Sequence, residues 1–378
     1  MLFIIICLTL MSRRLGTQSS NIGTHKTSEE ALVAQPKNKV YREPLYDRIE
    51  FREGENMYNK VVYLNRVLME SKWDDTILFL TTIGSQTPFG AGKSFTDLFD
   101  TIRRLDYDFN RISFGFLVST EDDFKDLISW FDAYFNRLSD MDTASSARDS
   151  MRRVTIILSP FLEKQFSAID RENRHQDGVQ RLRRRLIASA RNFVLINSLH
   201  NEKYTLFIDA DIINIENPKM LKTFIASGKD IIVPRVTKGG HPDYDKNSWA
   251  GQRTVPSSKQ LELMDQNKWD LVDYVPHDVP GKIFHFETFY EQNRNAVGEK
   301  NKDDYLVELD SVGGAMLFAK SIIYRQGVLF PPNYIIGTTW ERKEGYDGIE
   351  TEGLCYVAKV LGYGCYGMPN MVVEHAGD

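Results

Sequence analysis

From about Asp75 onward, hydrophobic and polar positions follow a repeating order. Thr76–Thr82 (TILFLTT) is a short apolar run ending in small polar residues, the pattern of a parallel strand buried on both faces. Ser94–Leu105 then places Phe95, Leu98, Phe99 and Ile102 on one face of a helix. Arg111–Ser119 (RISFGFLVS) reads as a second strand, Glu121–Leu138 as a second helix and Val154–Leu158 as a third strand. A long helix is predicted over Gly178–Leu199, with Val179, Leu182, Leu186, Ala190 and Phe193 as its apolar stripe and arginines opposite. Tyr204–Asp209 (YTLFID) is a fourth strand, Pro218 opens a short helix, and Asp230–Pro234 is a fifth strand. Strands alternating with helices at this spacing predict an α/β fold with a mostly parallel central sheet covered on both faces.

The pattern loosens after Pro234. Lys238–Thr254 is rich in Gly, Asp and Asn, and a second dense block follows: Glu308–Ala319, a loop over Phe330–Gly348, a helix over Ile349–Leu361 and a strand near Met371–Glu374. Residues 12–55 are polar with little periodicity and read as a stem or linker, leaving 56–378 as the folded domain. Residues 1–11 (MLFIIICLTLM) are apolar but shorter than the about 20 residues a spanning helix needs. Arg13 and Arg14 follow that run, which by the positive-inside rule would hold the remainder in the cytosol. The segment reads as an apolar leader or a truncated membrane anchor.

Composition narrows the class. The hydrophobic fraction of 42% supports a substantial core, and a net charge of −5 spread along the chain gives nucleic-acid binding no electrostatic support. Cys355 and Cys365 could pair in an oxidising compartment or remain buried thiols.

Candidate chemistry gathers where strands end, the place where open α/β sheets bind ligands. Asp209 and Asp211, two apart at the exit of the fourth strand, would point the same way in an extended segment. Two such carboxylates suit a hard divalent cation bridging a diphosphate, and Lewis-acid help to a leaving group is the chemistry implied. Thr81 and Thr82 end the first strand, and Arg191 could reach a phosphate with its planar fork or lie solvated on an arginine-rich helix. Asp310 precedes Gly313 and Gly314, glycines of the kind needed where backbone approaches a ligand closely. Glu350 and Glu352 open the last helix roughly 160–200° apart, so a regular helix can turn only one of them to a site. His375 follows the last strand and is a plausible imidazole ligand.

The chain resembles the fungal Golgi mannosyltransferases of the Anp/Van/Mnn type, the mannan polymerase components grouped as glycosyltransferase family 62. The resemblance lies in 77–89 (ILFLTTIGSQTPF), 184–195 (RRLIASARNFVL), 206–221 (LFIDADIINIENPKML), 229–236 (KDIIVPRV), 244–249 (YDKNSW), 308–332 (ELDSVGGAMLFAKSIIYRQGVLFPP) and 349–375 (IETEGLCYVAKVLGYGCYGMPNMVVEH), in family order. It implies a GT-A fold with a C-terminal acceptor-binding part, GDP-mannose as donor, Mn2+ as cofactor and retaining transfer to the α-1,6-linked mannan backbone of N-linked glycans. It also implies a single-pass type II Golgi anchor, a lumenal catalytic domain and a hetero-oligomer with related subunits. Carried over, Asp209, Asp211 and His375 become metal ligands, with Thr81, Thr82 and Arg191 as donor contacts. Asp310 and Glu352 become residues of the sugar and acceptor pocket. The sequence departs from the family at Lys238–Asp243, Gly-rich where an aromatic segment is expected, and matches loosely over Leu261–Asn295; that region shapes the acceptor side. A non-catalytic scaffold subunit, or a transferase using another nucleotide-sugar, are the rival readings.

Overall fold

The computed structural model describes residues 38–377, apart from 44, 53–57, 85–87, 91, 160–176, 269, 270, 273, 275, 295–297, 299, 301 and 334–347. Cα packing divides the chain into Met1–Gln35 and Pro36–Asp378. The apolar leader 1–11, most of the loop expected over Phe330–Gly348 and the Val179 side chain therefore lie outside the described residues. No helix among those described is long and apolar enough to cross a membrane.

The described residues form fourteen strands: β1 (Lys39–Arg42), β2 (Asp47–Arg52), β3 (Asn59–Leu64), β4 (Ile77–Ile83), β5 (Ile112–Val118), β6 (Arg153–Leu158), β7 (Tyr204–Ile208), β8 (Ile212–Ile215), β9 (Ile231–Lys238), β10 (Trp249–Arg253), β11 (Asp278–His285), β12 (Val307–Glu308), β13 (Met316–Lys320) and β14 (Cys365–His375). Twelve of them form one sheet in the order β1-β2-β3-β6-β5-β4-β7-β13-β9-β14-β12, with β8 also on β14. In its centre, β6, β5, β4 and β7 pair in parallel, as do β9 and β14, and β13 alone runs the other way. The expected α/β fold with a mostly parallel central sheet is thus present. The reversal at β13 was not legible, because a buried strand reads the same in either direction.

Apolar side chains fill both faces of the sheet. Phe79, Phe114 and Phe116 meet the helices Phe95–Arg103 and Glu121–Asp140 through Phe95, Phe99 and Phe131. On the other face Leu78, Leu80, Leu117 and Phe207 meet the helix Asp177–Ser198 through Ala188, Val194 and Leu195. Leu186 and Ala190 of the expected stripe are buried and Phe193 packs against the same core, whereas Leu182 is 48% exposed; Arg191, expected on the polar side or at a phosphate, is 4% exposed. Thr120 serves as the N-cap of the helix Glu121–Asp140, accepting from the Asp123 amide at 3.1 Å.

Part of the expected linker is structure. β1, β2 and β3 pair antiparallel and join the sheet at β6, and Tyr46 is buried with its hydroxyl donating to the Met151 carbonyl at 3.0 Å. The linker expected over 12–55 is corrected where it reaches residues 39–52, since Lys39–Arg42 and Asp47–Arg52 are strands. Its polar, alternating sequence suits the border of a sheet, which periodicity alone does not separate from coil. In the second half, β10 and β11 form a separate two-stranded sheet. Cys355 and Cys365 form a disulfide that ties the helix Thr351–Val360 to the start of β14.

Candidate functional site

The site is built at the carboxyl ends of β4 and β7. Their parallel register, with Leu80 opposite Phe207, brings Thr81 and Thr82 to the same end of the sheet as Asp209. Thr81 is buried and its hydroxyl has no hydrogen-bond partner, while Thr82 is half-buried.

Asp209-Ala210-Asp211 is a turn rather than an extended segment, so the expected same-side placement of the two acids is corrected. The Ile212 amide donates to the Asp209 carbonyl at 3.3 Å and closes the turn. Asp209 donates its amide to the Ala315 carbonyl at 2.9 Å, and the Asp211 carbonyl accepts from the Ala376 amide at 2.8 Å. The turn is thereby pinned from both sides, and its two carboxylates take different neighbours.

Asp209 faces Arg191. Arg191 Nη2 donates to Asp209 Oδ1 at 3.1 Å and to the Gly314 carbonyl at 2.9 Å. Its Nε lies 3.2 Å from Glu350 Oε1, an ion pair outside hydrogen-bond geometry. Desolvation works to lower the Arg191 pKa, but Asp209, Glu350 and Asp245 raise it further, so the guanidinium stays charged. Desolvation pushes Asp209 up to about 6; Arg191 opposes this, and Asp211, Asp245 and Glu350 add to it. Burial also raises Glu350, against the pull of Arg191 and Arg184.

Asp211 faces His375. Its Oδ2 lies 2.9 Å from His375 Nε2, and its buried Oδ1 has no partner. A register shift between Glu374 and His375 sets His375 opposite Ile212 and so beside the turn. His375 Nδ1 donates to the Ala376 carbonyl at 2.8 Å, which fixes the ring and leaves Nε2 to bond Asp211 as an imidazolium or to present a lone pair to a cation. Desolvation lowers the His375 pKa, but Asp211 outweighs it and the net shift is upward.

The donor set fits a hard or borderline divalent cation, because an orphaned carboxylate oxygen stands beside an oriented imidazole and a second carboxylate on one turn. Among the described residues, no three His, Cys, Asp or Glu side chains come together closely enough to make a finished metal cage. Asp211 and His375 are brought together; Asp209 is turned toward Arg191.

Two residues central to this cluster were not among the expected site residues. Glu350, not Glu352, reaches Arg191, with φ +60° just ahead of the last helix. Its inward place on that helix was the available signal. Asp245 Oδ2 accepts from the amides of Gly314 at 2.8 Å and Ala315 at 3.2 Å. The two glycines serve this packing: a Cβ on Gly313 would meet Asp245 Oδ2 at 2.1 Å, and one on Gly314 would meet Arg191 Nη2 at 2.7 Å. The close approach expected there is thus to protein side chains.

Glu352 is 1% exposed and pairs with Arg184 at 2.8 Å and, through its other oxygen, with Arg253. Asp310 pairs with Lys359 at 2.6 Å and accepts from the Gly251 amide at 2.8 Å. Both oxygens of each carboxylate are therefore engaged by cations or amides, an arrangement that holds β10 and the last helix together.

A family model described as Anp1 matches residues 58–334. Mannan polymerase complex subunit mnn9 of Schizosaccharomyces pombe is 26% identical over 342 residues, covering 88% of this chain and 89% of that one. Mannan polymerase complex subunit MNN9 of Candida albicans is 27% identical, covering 76% and 73%. The mannan polymerase II complex ANP1 subunit of Saccharomyces cerevisiae is also 27% identical, covering 80% and 55%. Among solved structures, the chain is similar to the mannosyltransferase PcManGT of Pyrobaculum calidifontis in complex with GDP-Man and Mn2+, at TM-score 0.37 and 11% identity, covering 82% and 61%. It is similar to S. aureus TarS 1–349 at TM-score 0.36 and 10% identity, covering 80% and 60%. The chain thus spans about 60% of the length of these two structures. The Anp1 model extends from β3 to just past Phe330 and takes in Arg191, Asp209, Asp211 and Asp245, more than half of the chain, and the chain belongs to the Anp1 family.

Proposed function

We propose that the protein is a glycosyltransferase of the GT-A type that transfers mannose from GDP-mannose, with Mn2+, to the α-1,6-linked mannan backbone of N-linked glycans, retaining configuration. The observation that carries this reading is the orphaned Asp211 Oδ1 beside His375, at the strand end where a diphosphate would lie. The names of the family relatives, subunits of mannan polymerase complexes, support the substrate class and a hetero-oligomer of related subunits. The disulfide between Cys355 and Cys365 suits an oxidising compartment and so supports a lumenal catalytic domain on a Golgi type II anchor.

In this reading Asp211 and His375, with Asp209 on the same turn, would hold a divalent cation, which would supply Lewis-acid stabilisation to the departing diphosphate. Arg191 keeps Asp209 ionised and in place, and Glu350 keeps Arg191 in place. Thr81, whose buried hydroxyl lacks a partner, is a donor contact, with Thr82 next to it. The anomeric carbon loses its bond to the diphosphate oxygen and gains one to an acceptor oxygen on the same face, and the acceptor hydroxyl passes its proton to the departing diphosphate oxygen. Glu352 and Asp310 hold β10 and the last helix together through their ion pairs.

The test is transfer from GDP-mannose to an α-1,6-mannobiose acceptor, with UDP-sugars as controls. Mannosyl product formed only from the GDP donor and only with divalent metal supports the proposal. Product from UDP-sugars alone replaces the donor. Metal-dependent GDP binding without turnover favours a scaffold subunit.

A further inference from the structure

The border of the sheet carries a pocket of its own. A cavity of about 240 Å3 lies between the β1–β3 meander and the helix Glu121–Asp140. Along the strand order β2 stands five steps from β7, about 24 Å at the usual strand spacing of about 4.8 Å, so this pocket is no part of the Asp209–Asp211 site. Its volume falls below the about 300–1,000 Å3 of drug-sized sites, so it takes one ring-sized group and excludes a nucleotide.

The floor is aromatic. Tyr46, Tyr63 and Phe135 line it, and all three are buried. Phe135 stacks on Tyr46 with ring centroids 3.9 Å apart and lies 4.9 Å from Tyr63. The two phenol hydroxyls are spent on the protein. Tyr46 donates to the Met151 carbonyl and accepts from the Met151 amide, both at 3.0 Å, and Tyr63 donates to Asp132 Oδ1 at 2.7 Å. Ring carbon is what remains to them for a ligand.

The rim is polar and open. Tyr41 is 43% exposed, and Glu43 and Asn136 are exposed beside it. Among the described residues, the Glu43 carboxylate and the Asn136 amide have no hydrogen-bond or ion-pair partner. An exposed aromatic ring, a free acceptor and a free amide around a ring-sized hollow match the two surfaces of a sugar. Its C–H face covers aromatic carbon, and its hydroxyls bond the polar groups.

Charge selects a neutral ligand. Arg48 lines the pocket, but its guanidinium is already divided between Asp132 and Glu50, each at 2.9 Å. No spare positive charge is left for an anion. The same ion pair engages Asp132, so an entering cation would find Glu43 alone, and a single exposed ion pair is worth little.

We infer that this pocket is a second carbohydrate-binding site, taking one neutral pyranose ring with its C–H face on Tyr41 and its hydroxyls on Glu43 and Asn136. Binding here requires no transfer chemistry. The choice of mannose as the ring rests on the transferase reading above, in which the pocket holds a glycan by a residue other than the one being extended.

The experiment uses the full chain with labelled leucine methyls and methyl α-D-mannopyranoside as probe. Leu45, half-buried in the same lining, is the reporter, its resonance assigned by its loss in Leu45→Ile. The sugar is expected to shift the Leu45 methyls saturably. Tyr41→Ala should weaken that titration about five- to tenfold, and Asn136→Ala about two- to tenfold. Asn136 stands on the helix, so its variant tests the site even if Tyr41→Ala loosens the meander. Asp211→Asn should leave the Leu45 titration within about twofold, because the two sites are far apart. A wild-type Leu45 signal that the sugar does not move overturns the inference. So does a titration unchanged in both Tyr41→Ala and Asn136→Ala, or a Leu45 shift produced by inorganic phosphate or butylammonium and not by the sugar. A chain that binds the sugar at Leu45 but shows no metal-dependent GDP binding keeps this site and loses the transferase reading; GDP binding with a silent Leu45 does the reverse.

Discussion

Two buried carboxylate–arginine clusters lie within two residues of each other on the chain, and they are built to opposite ends. Around Glu352, both carboxylate oxygens face arginines, Arg184 and Arg253, and the group is 1% exposed. Around Glu350, one arginine is shared: Arg191 serves Glu350 and Asp209 together, while Asp211, next but one to Asp209, keeps an oxygen with no partner. A carboxylate saturated by cations is a clamp, whereas one left open beside an oriented imidazole is poised for a ligand. Chemistry is located by the open acceptor rather than by the density of charge.

The largest effect that would sharpen this contrast is on transfer. Asp211→Ala removes the open oxygen and should lower mannosyl transfer by roughly 10²–10³-fold, the usual cost of losing one electrostatic stabiliser. Its unfolding midpoint in urea should stay near that of the wild type, because Asp211 makes no saturated ion pair. A variant that transfers at full rate breaks the assignment.

The reverse is expected at the clamp. Glu352→Gln strands two arginines and should cost about 3–5 kcal/mol of stability, as removal of one partner from a buried pair does. GDP affinity measured well below the unfolding midpoint should change little. A Glu352→Gln chain of unaltered stability that has lost GDP binding would instead move Glu352 into the site.

Much of this was legible in the chain. The strands from Ile77 to Ile208 follow directly from their apolar runs, since parallel strands buried on both faces leave a continuous hydrophobic signature. Asp209 and Asp211 stood out because paired carboxylates at a strand end have little structural use, whereas the spacing of Arg191 alone left it open between a phosphate contact and a solvated arginine. What escaped depended on pairing between distant segments. The β1–β3 meander carries few buried positions of its own, and β13 hides its direction. Asp245 acquires its role only when its loop folds against Gly313 and Gly314. The choice of Glu350 over Glu352 turned on a backbone φ of +60° that places Glu350 outside the regular helix.

A smaller effect concerns the disulfide. Cys355→Ser removes a bond closing a short loop of separation 10 and should cost about 2–3 kcal/mol by loop-closure entropy, read as a lower urea midpoint. The loss should fall on the clamp side, because the bond ties down the helix that carries Glu352. Unchanged stability under reducing conditions would contradict it.

The smallest expected effect is on pH. Asp209 is raised to about 6, so ionising it in the folded chain is harder than in the unfolded one. Its contribution to metal-free stability is therefore present below the ordinary carboxylate range and lost as pH rises through about 6. His375 is raised too, so its contribution is complete below its ordinary pKa and lost as pH rises through the elevated folded one. A cation requires both groups deprotonated, so Mn2+ affinity should climb with pH from 5 to 8 as metal-free stability declines. A flat affinity profile over that interval would separate these two residues from the metal.

The most direct measurement is calorimetric titration of the chain with GDP, with and without Mn2+, UDP as control, for the wild type and Asp211→Asn. The account predicts GDP binding that requires Mn2+ in the wild type and is lost in Asp211→Asn, with UDP far weaker. GDP binding of equal strength with and without the metal, or retained in full by Asp211→Asn, would contradict it.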